Sequence, residues 1–298
     1  MINSFRTKSI YELPLYLKVL IGLIIFGIGV VVFLLVPTYA MDWRFAFSLV
    51  DKVPLNPYSV TAFFNPPWTA LILYPLHFFP EDTGLAVNLS LNVVIIGLLV
   101  IKRKGSLLAL VLTLTSFPFL SLLANGNIEW MPALAFIFQN GYGIPFLLAK
   151  PQSGVFAALA WFQKAKNKWV FILPGLITVI LSFVIWKNWL LAILANIHYA
   201  NANKLGLFTV SASFFPWLIP LGLGLLFYVF KYKPVDSEIL ATLATFFLVP
   251  YFVVHSLTIL FALISVSHRR IALACWALLW AYPILGHWTT FIHLLGIR

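Results

Sequence analysis

The chain contains apolar runs that are long enough to cross a lipid bilayer. Residues 17–36 read LKVLIGLIIFGIGVVVFLLV, and a membrane-spanning helix needs roughly 20 mostly apolar residues. Within hydrocarbon every backbone polar group must be hydrogen-bonded internally, so a span is either a helix or a strand of a closed barrel. Barrel strands alternate polar and apolar residues over about 10 positions, whereas these runs are apolar nearly throughout. The pattern therefore indicates membrane-spanning helices.

Composition extends this interpretation to the whole chain. Hydrophobic residues make up 62% of the 298 residues and charged residues only 9%, whereas a soluble domain carries about 25% charged residues. Neither a shift in composition nor an internal repeat divides the sequence. We therefore expect a single integral membrane domain over residues 1–298, with an all-α fold that is a polytopic transmembrane helical bundle of about 9–11 membrane segments.

The basic residues predict the orientation of this bundle. The formal net charge is +11, but most basic residues lie in short loops between apolar runs, as the positive-inside rule describes for cytoplasmic loops. We therefore expect a multi-pass protein of the plasma (inner) membrane, with a cytoplasmic N-terminus and most acidic residues on the outer face. The basic loop residues are Arg6, Lys8, Lys18, Lys102, Arg103, Lys104, Lys164, Lys166, Lys168, Lys231, Lys233, Arg269 and Arg270.

Polar breaks between the apolar runs predict the order of the segments. Residues 66–80 are apolar but short and contain Pro75, so we expect a re-entrant or juxtamembrane helix in the first outer loop. Residues 128–163 contain several glycines and prolines, and short broken helices of this kind surround sites within membranes. The expected helices are 15–36, 83–101, 106–124, 169–187, 212–230, 237–250, 252–267 and 271–286, with a second outer loop at 188–211.

Short motifs occur in a distinctive order along the first two thirds of the chain. Asp42 follows the first apolar run, then come Pro57-Tyr58 and Asn65-Pro66-Pro67, and later Gly126-Asn127-Ile128-Glu129 and Lys150-Pro151-Gln152. In this order they resemble the GT-C superfamily of membrane glycosyltransferases, specifically the polyprenol-phosphate-mannose-dependent α-mannosyltransferases. The resemblance implies an inverting glycosyltransferase with a GT-C-like fold and an active site on the outer face.

The resemblance also implies the partners. The donor would be a polyprenyl-phosphate-linked sugar, with mannose expected, and the acceptor a lipid or glycolipid. Membrane lipids are the remaining expected partners, with no nucleic acid and no cofactor. The spacing of the histidines and the lack of an Asp-x-Asp motif predict that the protein binds no metal.

Asp42 is the expected catalytic base. Glycosyl transfer to an alcohol needs a group that takes the acceptor proton as the oxocarbenium-like centre forms, and acids at or within the membrane are often functional. The alternatives are that Asp42 caps a helix or pairs with Arg44. Asp51, beside Lys52, is interpreted as half of a solvated pair.

Lys150 is the expected contact of the donor phosphate. It lies in an apolar run with no acid nearby in sequence, and a buried ammonium needs an anionic partner. A cation there would stabilise the leaving phosphate as the glycosidic bond breaks. The alternatives are a pair with Glu129 or extension of the side chain to an interface.

Supporting roles fall to other polar and aromatic residues, each of which also has an ordinary structural interpretation. The further candidates for donor binding are Gln152, Arg44 and His198. The candidates for sugar or acceptor contacts are Tyr58, Asn65, Asn127 and Glu129, with Trp43 and Trp68 as candidate stacking surfaces.

A rival interpretation is a non-catalytic protein, either a membrane scaffold or a small-solute transporter. A transporter built around broken helices is expected to show an internal repeat, which this sequence lacks. A scaffold would tolerate the loss of Asp42. These alternatives make the spatial relation between Asp42 and Lys150 the decisive structural question.

Overall fold

The structure, a computed structural model, describes residues 10–14, 17–19, 21–25, 27, 40–202, 216–249 and 252–286. These residues are helical or lie in turns, and no strand occurs among them. The all-α prediction is therefore confirmed for the described chain. The expected first helix, 15–36, falls mostly outside the described residues.

Fourteen α-helices follow one another through the described residues from 40 onward. A short π-helix, Trp43–Phe47, leads into the first of them. In chain order they are α1 (Ser48–Val50), α2 (Trp68–Leu73), α3 (Glu81–Lys102), α4 (Leu107–Leu114), α5 (Phe117–Asn125), α6 (Trp130–Phe138), α7 (Ile144–Ala149), α8 (Ala157–Lys164), α9 (Lys168–Trp186), α10 (Trp189–Ala202), α11 (Ile219–Tyr232), α12 (Ser237–Leu248), α13 (Leu257–Ser267) and α14 (Arg269–Gly286).

Two of these helices, α3 and α9, are long and apolar enough to cross a membrane. A third span is formed if α4 and α5 are counted together, although they meet at a bend of 49°. The bend has a local cause, because the Ser116 side chain caps α5 by accepting from the Phe119 N–H, and Pro118 lies in the first turn of α5, where it cannot continue the hydrogen bonding of α4. Among the described residues α11, α12 and α13 are apolar but shorter. The chain is thus a helical protein suited to a membrane, while the count of about 9–11 segments stays a prediction.

The helical segment within residues 66–80 is short, as expected. Helix α2 has only six residues and continues as a 3₁₀ turn, Tyr74–Phe78. With a rise of about 1.5 Å per α-helical residue and about 2.0 Å per 3₁₀ residue, the pair extends roughly 19 Å. That length falls short of a hydrocarbon core of about 30 Å. Pro75 lies in the 3₁₀ turn, where its ring prevents α2 from continuing.

The stretch between α5 and α9 is broken in the way its glycines and prolines predict. Helices α6, α7 and α8 have nine, six and eight residues, and short 3₁₀ turns separate them. Helix α6 packs against α3 and α7. The start of α6, with Glu129 and Trp130, therefore lies inside the bundle beside the long helix α3.

One expected loop is wrong in part. The second outer loop was expected at 188–211, but residues Trp189–Ala202 form α10. The apolar composition of this stretch, WLLAILA at its start, sustains a helix even though the polar residues that follow suggest a loop. His198 consequently lies on a helix, where its side chain is exposed.

Candidate functional site

A sharp turn after α5 brings two distant parts of the chain together. Gly126 ends α5 with φ 68°, a left-handed conformation that glycine adopts without strain. A Cβ there would lie 2.8 Å from Trp43 Cβ and 2.9 Å from Leu85 Cδ1. Only glycine therefore allows the segment that carries Asp42 to pack directly on this turn.

Two asparagines of α3 hold the same turn in place. Asn88 Nδ2 donates to the carbonyls of Gly126, at 3.0 Å, and Asn127, at 3.1 Å. Asn92 Nδ2 donates to the Asn127 carbonyl at 2.7 Å, and Asn92 Oδ1 accepts from the Trp130 N–H at 2.8 Å. Both asparagines are fully buried, so their hydrogen bonds form in a low-dielectric interior and fix the backbone firmly.

Asn127 is the link between Asp42 and Lys150. Its Nδ2 donates to Asp42 Oδ2 at 2.6 Å. Its Oδ1 accepts from the N–H of Ile128, at 2.7 Å, and from Lys150 Nζ. The structure thus brings the expected base and the expected phosphate contact into one hydrogen-bonded chain, with no direct ion pair between them in the part of the chain that the structure describes.

The position of Lys150 follows from the residues around it. Pro151 disfavours a helical conformation for the preceding residue, so α7 ends at Ala149 and Lys150 becomes its C-cap. The Ala149 carbonyl accepts from Asn65 Nδ2 and from Thr69 Oγ1, each at 2.9 Å. A cation at a helix C-terminus is also favoured by the helix dipole. The segment that carries Asn65 and Thr69 therefore anchors the backbone beside Lys150.

Lys150 pairs with Glu129, which is the alternative to a donor phosphate that the sequence analysis left open. Lys150 Nζ donates to Glu129 Oε1, and the two side chains are 2% and 0% exposed. Glu129 precedes the first residue of α6, where the positive end of the helix dipole stabilises a carboxylate. A buried ammonium needs such a partner because desolvation of an isolated charge is very costly. Glu129 Oε2 has no hydrogen-bond partner among the described residues.

Asp42 lies at the open side of this cluster. Its side chain is 37% exposed, whereas Lys150 and Glu129 are enclosed. The surrounding protein raises the pKa of Asp42 above the ordinary aspartate value by desolvation, and the hydrogen bond from Asn127 opposes this shift. A carboxylate that is exposed on one side and oriented by an amide on the other is suited to accept a proton.

His255 completes the cluster, and the sequence analysis missed it. Its Nε2 lies 3.9 Å from Asp42 Oδ2, its residue is 4% exposed, and Nε2 has no hydrogen-bond partner among the described residues. His255 lies in a 3₁₀ turn, Val254–Ser256, just before α13. The sequence signal was a single histidine in an otherwise apolar run, which in a membrane protein is by default a candidate functional residue.

Other predicted site residues lie away from the cluster. Arg44 forms solvent-exposed ion pairs with Glu81, at 2.9 Å, and Asp82, at 2.8 Å. These carboxylates, rather than Asp42, are its partners. His198 is exposed on α10, and no described contact joins it to the cluster.

The remaining predicted contacts are buried or half-buried residues with structural partners of their own. Gln152 is buried in the turn after Lys150. The Tyr58 hydroxyl donates to the Asn65 carbonyl at 3.0 Å. Trp43 is only 1% exposed and donates to the Glu81 carbonyl, so its ring is part of the core and is not a surface on which a sugar stacks. Trp68 likewise packs edge-on against Trp189.

A second buried carboxylate lies on the same side of the protein. Asp51, which was expected to form a solvated pair with Lys52, is only 3% exposed. Its Oδ1 lies 4.0 Å from His77 Nδ1 and accepts no hydrogen bond among the described residues. Burial raises the pKa of Asp51 to about 6. The adjacent loop folds over this aspartate because flanking residues such as Val50 belong to the core.

Comparison of the chain with protein-family models, with curated proteins and with solved structures finds no match. The resemblance to the GT-C glycosyltransferases therefore rests on the motifs. Among the described residues no group of three or more His, Cys, Asp or Glu side chains is arranged to hold a metal ion. What the geometry offers is a proton acceptor, Asp42, oriented by Asn127 and flanked by one buried cation and one buried imidazole.

Proposed function

We propose that this chain is an inverting glycosyltransferase of the polytopic GT-C type. In this proposal it transfers a sugar, with mannose the first candidate, from a polyprenyl phosphate to a lipid or glycolipid on the outer side of the membrane. The observation that carries the proposal is the chain of contacts from Asp42 through Asn127 to Lys150. Asp42 and Lys150, which are 108 positions apart in sequence, are joined there through Asn127. All three residues belong to motifs that carry the resemblance to the GT-C glycosyltransferases.

Asp42 is the proposed base. It takes the proton of the acceptor hydroxyl as that oxygen attacks the anomeric carbon, while the bond to the donor phosphate breaks on the opposite face. The amide of Asn127 fixes the carboxylate, so that its free oxygen faces the acceptor. Its raised pKa makes it a stronger base than an ordinary aspartate once it is ionised.

The cationic side of the cluster is the proposed place of the leaving phosphate. Lys150 is held by Glu129 and Asn127, so it contributes its positive field and orients Asn127. His255 is a second donor near Asp42 whose Nε2 is not used by any described residue. Charge that develops on a phosphate is stabilised most by groups already oriented towards it in a dry site.

The rival function, a non-catalytic membrane scaffold, has two observations in its favour. A lysine and a glutamate that compensate each other inside the bundle are sufficient to explain why both residues are buried. In addition, the two cavities that open among the described residues around Arg103 are not lined by any residue of the Asp42 cluster. Activity measurements separate the two functions.

The test is sugar transfer by the purified protein and by its Asp42→Asn variant, with a polyprenyl-phosphate-linked mannose as donor. Loss of a general base lowers the rate roughly 100- to 10,000-fold, and donor binding should persist because the isosteric amide keeps the shape of the site. Asp82→Asn is the matched control, because Asp82 lies on the same side, is 70% exposed and contacts Arg44 instead. It should keep the wild-type rate.

The expected pH dependence adds a second readout. Because the pKa of Asp42 is raised, activity should fall on acidification at a pH above the ordinary aspartate range. Transfer by Asp42→Asn at the wild-type rate would eliminate Asp42 as the base. A wild-type protein that neither binds polyprenyl phosphate nor transfers sugar would favour the scaffold.

A further inference from the structure

Two cavities meet around Arg103, just beyond the end of α3 that is opposite to Asp42. The larger has a volume of about 400 Å³, and its polar lining includes Arg103, Lys164, Asp236, Glu238 and His268. The smaller, of about 260 Å³, shares three of these residues with it. A volume of this size matches cavities that hold small ligands, and the proposed glycosyl transfer makes no use of it.

The acids of the cavity already have protein partners. Glu238 Oε1 accepts from Arg103, from Trp161 Nε1 at 2.9 Å and from Gln139 Nε2 at 3.1 Å. Asp236 Oδ1 lies 3.0 Å from His268 Nε2. Since these carboxylates are occupied, they offer little binding capacity to a cationic ligand.

The hydrogen-bond donors of the cavity that remain without a described partner belong to basic residues. Lys164 is exposed at the cavity and donates to no described residue. Arg103 uses Nη2 for both the Phe136 carbonyl and Glu238, and its Nε donates to no described residue. The adjoining loops carry further basic residues, which add to the positive potential of this end. They are Lys102, Lys104, Lys166, Arg269 and Arg270.

Part of the cavity lining is apolar, and we call this part the apolar wall. It is formed by Val235, Ile239, Leu263 and Val266. A ligand that fills the cavity therefore presents an anionic group to Lys164 and Arg103 and an apolar portion to this wall. Basic pockets between helices at the cytoplasmic end of membrane proteins bind anionic lipid headgroups in this way.

We infer that this cavity binds a phosphate-bearing ligand through Lys164 and Arg103, and that the phosphate belongs to the headgroup of an anionic lipid. The lipid source is favoured by the apolar wall and by the basic loops, which face the surface of an anionic leaflet if the predicted orientation holds. A free phosphate compound has the same anionic chemistry but has no use for the apolar wall.

The experiment measures retention of phosphatidylglycerol by the full-length protein in phosphatidylcholine nanodiscs, using lipid extraction and mass spectrometry. The wild type should enrich phosphatidylglycerol over its share in the added lipid. Lys164→Gln should weaken this enrichment roughly five-fold, as expected for one basic residue at an anionic headgroup. Lys166→Gln is the matched control, because Lys166 is an exposed base two residues away that does not line the cavity.

A second variant distinguishes binding inside the cavity from a general attraction of anionic lipid to the basic surface. Ser267 lines the larger cavity and is exposed, so Ser267→Trp fills space without removing a charge. It should lower phosphatidylglycerol retention while the melting temperature stays that of the wild type. Equal losses in Lys164→Gln and Lys166→Gln, or full retention in Ser267→Trp, would overturn the inference.

Competition identifies the source of the phosphate. Inorganic phosphate and glycerol phosphate should fail to displace phosphatidylglycerol at concentrations near that of the lipid. If either displaces it efficiently from the wild type but not from Lys164→Gln, the phosphate site stands and the lipid assignment is overturned in favour of a soluble ligand.

Discussion

Two clusters of charged residues lie near the two ends of α3, and each contains a largely buried glutamate. The two glutamates differ in how many hydrogen-bond partners they have. Near Arg103, Glu238 is 12% exposed in its side chain and receives hydrogen bonds from three partners. Near Asp42, Glu129 is 0% exposed, meets Lys150 and leaves Oε2 without a described partner. A largely buried carboxylate with both oxygens hydrogen-bonded, as in Glu238, is typical of a structural role, whereas a buried carboxylate oxygen without a partner calls for an explanation such as catalysis.

The contrast also concerns which residues remain available. At the Arg103 end the carboxylates are occupied and the spare donors are cations. At the Asp42 end the cations are occupied and the spare groups are an exposed carboxylate and the Nε2 atom of His255. The first arrangement suits an anionic ligand, and the second suits a proton transfer beside a phosphate. The comparison shows that a charged side chain can bind a ligand or transfer a proton only if its own hydrogen-bonding atoms are not already taken by neighbouring residues.

The prediction with the largest expected effect is that the two clusters lie on opposite sides of a membrane. If they do not, the comparison between them fails. Helix α3 has 22 residues and so spans about 33 Å. In a Cys275→Ala background, a cysteine at Ser59 should react with a membrane-impermeant thiol reagent in intact cells. A cysteine at Lys102 should react only after permeabilisation, because both positions are exposed and Lys102 ends α3, whereas Ser59 lies in the segment that leads to the start of α3.

Lys102 is a better reporter for this labelling than the neighbouring Gly105. A Cβ at Gly105 would lie 2.6 Å from Val100 Cγ1, so a cysteine there would disturb the fold. The reverse labelling pattern would invert the topology and place Asp42 on the cytoplasmic side, which is incompatible with the proposed enzyme. Labelling of both positions in intact cells would show that α3 does not separate the two compartments.

The next largest effect concerns the buried pair. Removing one partner of such a pair costs about 3–5 kcal/mol of unfolding free energy, because the other charge is left uncompensated. Lys150→Met should show this loss in a melting experiment in detergent. Arg103→Met should cost less, because Arg103 is 20% exposed and Glu238 keeps two other donors.

A double variant distinguishes charge compensation from a loss of packing. Glu129→Leu combined with Lys150→Met should recover most of the stability, since an apolar pair of similar volume replaces the ions. If Lys150→Met and Arg103→Met lose equal stability, the proposed difference between the two clusters is not energetic.

The prediction with the smallest expected effect concerns Asp51 and the pH dependence of stability. The pKa of Asp51 is about 6 in the folded protein, compared with about 3.9 in an unfolded chain. Between these values the folded state binds more protons, so stability should fall as pH rises from about 4 to just above 6, by at most about 3 kcal/mol.

Melting temperatures at a series of pH values test this expectation for Asp51. Asp51→Asn should show a clearly smaller fall over that window, because the amide does not titrate; the fall that remains comes from other acids with a raised pKa, such as Asp42. Asp82→Asn, at an exposed acid, should keep the wild-type slope. A wild-type protein whose stability rises across the same window would show that Asp51 is ionised and well solvated when folded.

The sequence by itself determined the class of protein and much of the helix order. Long apolar runs leave helices as the fitting solution in a membrane, and α3 and α9 begin and end within two residues of their expected bounds. The short segment 66–80 and the broken stretch around Lys150 were also predictable, because proline and glycine act locally on the backbone. Helix α10 was missed because polar residues in its second half resemble a loop.

Only the tertiary structure decided which charged and polar side chains contact each other. Sequence reasoning selected Asp42 and Lys150 as charged residues in apolar surroundings, and it left the pair with Glu129 open as an alternative. It could not show that Asn127 joins them or that His255 approaches Asp42 from a segment more than 200 residues away. Burial and hydrogen bonding depend on contacts between distant segments, and these form only when the helices pack, whereas apolar length and backbone breaks are properties of neighbouring residues.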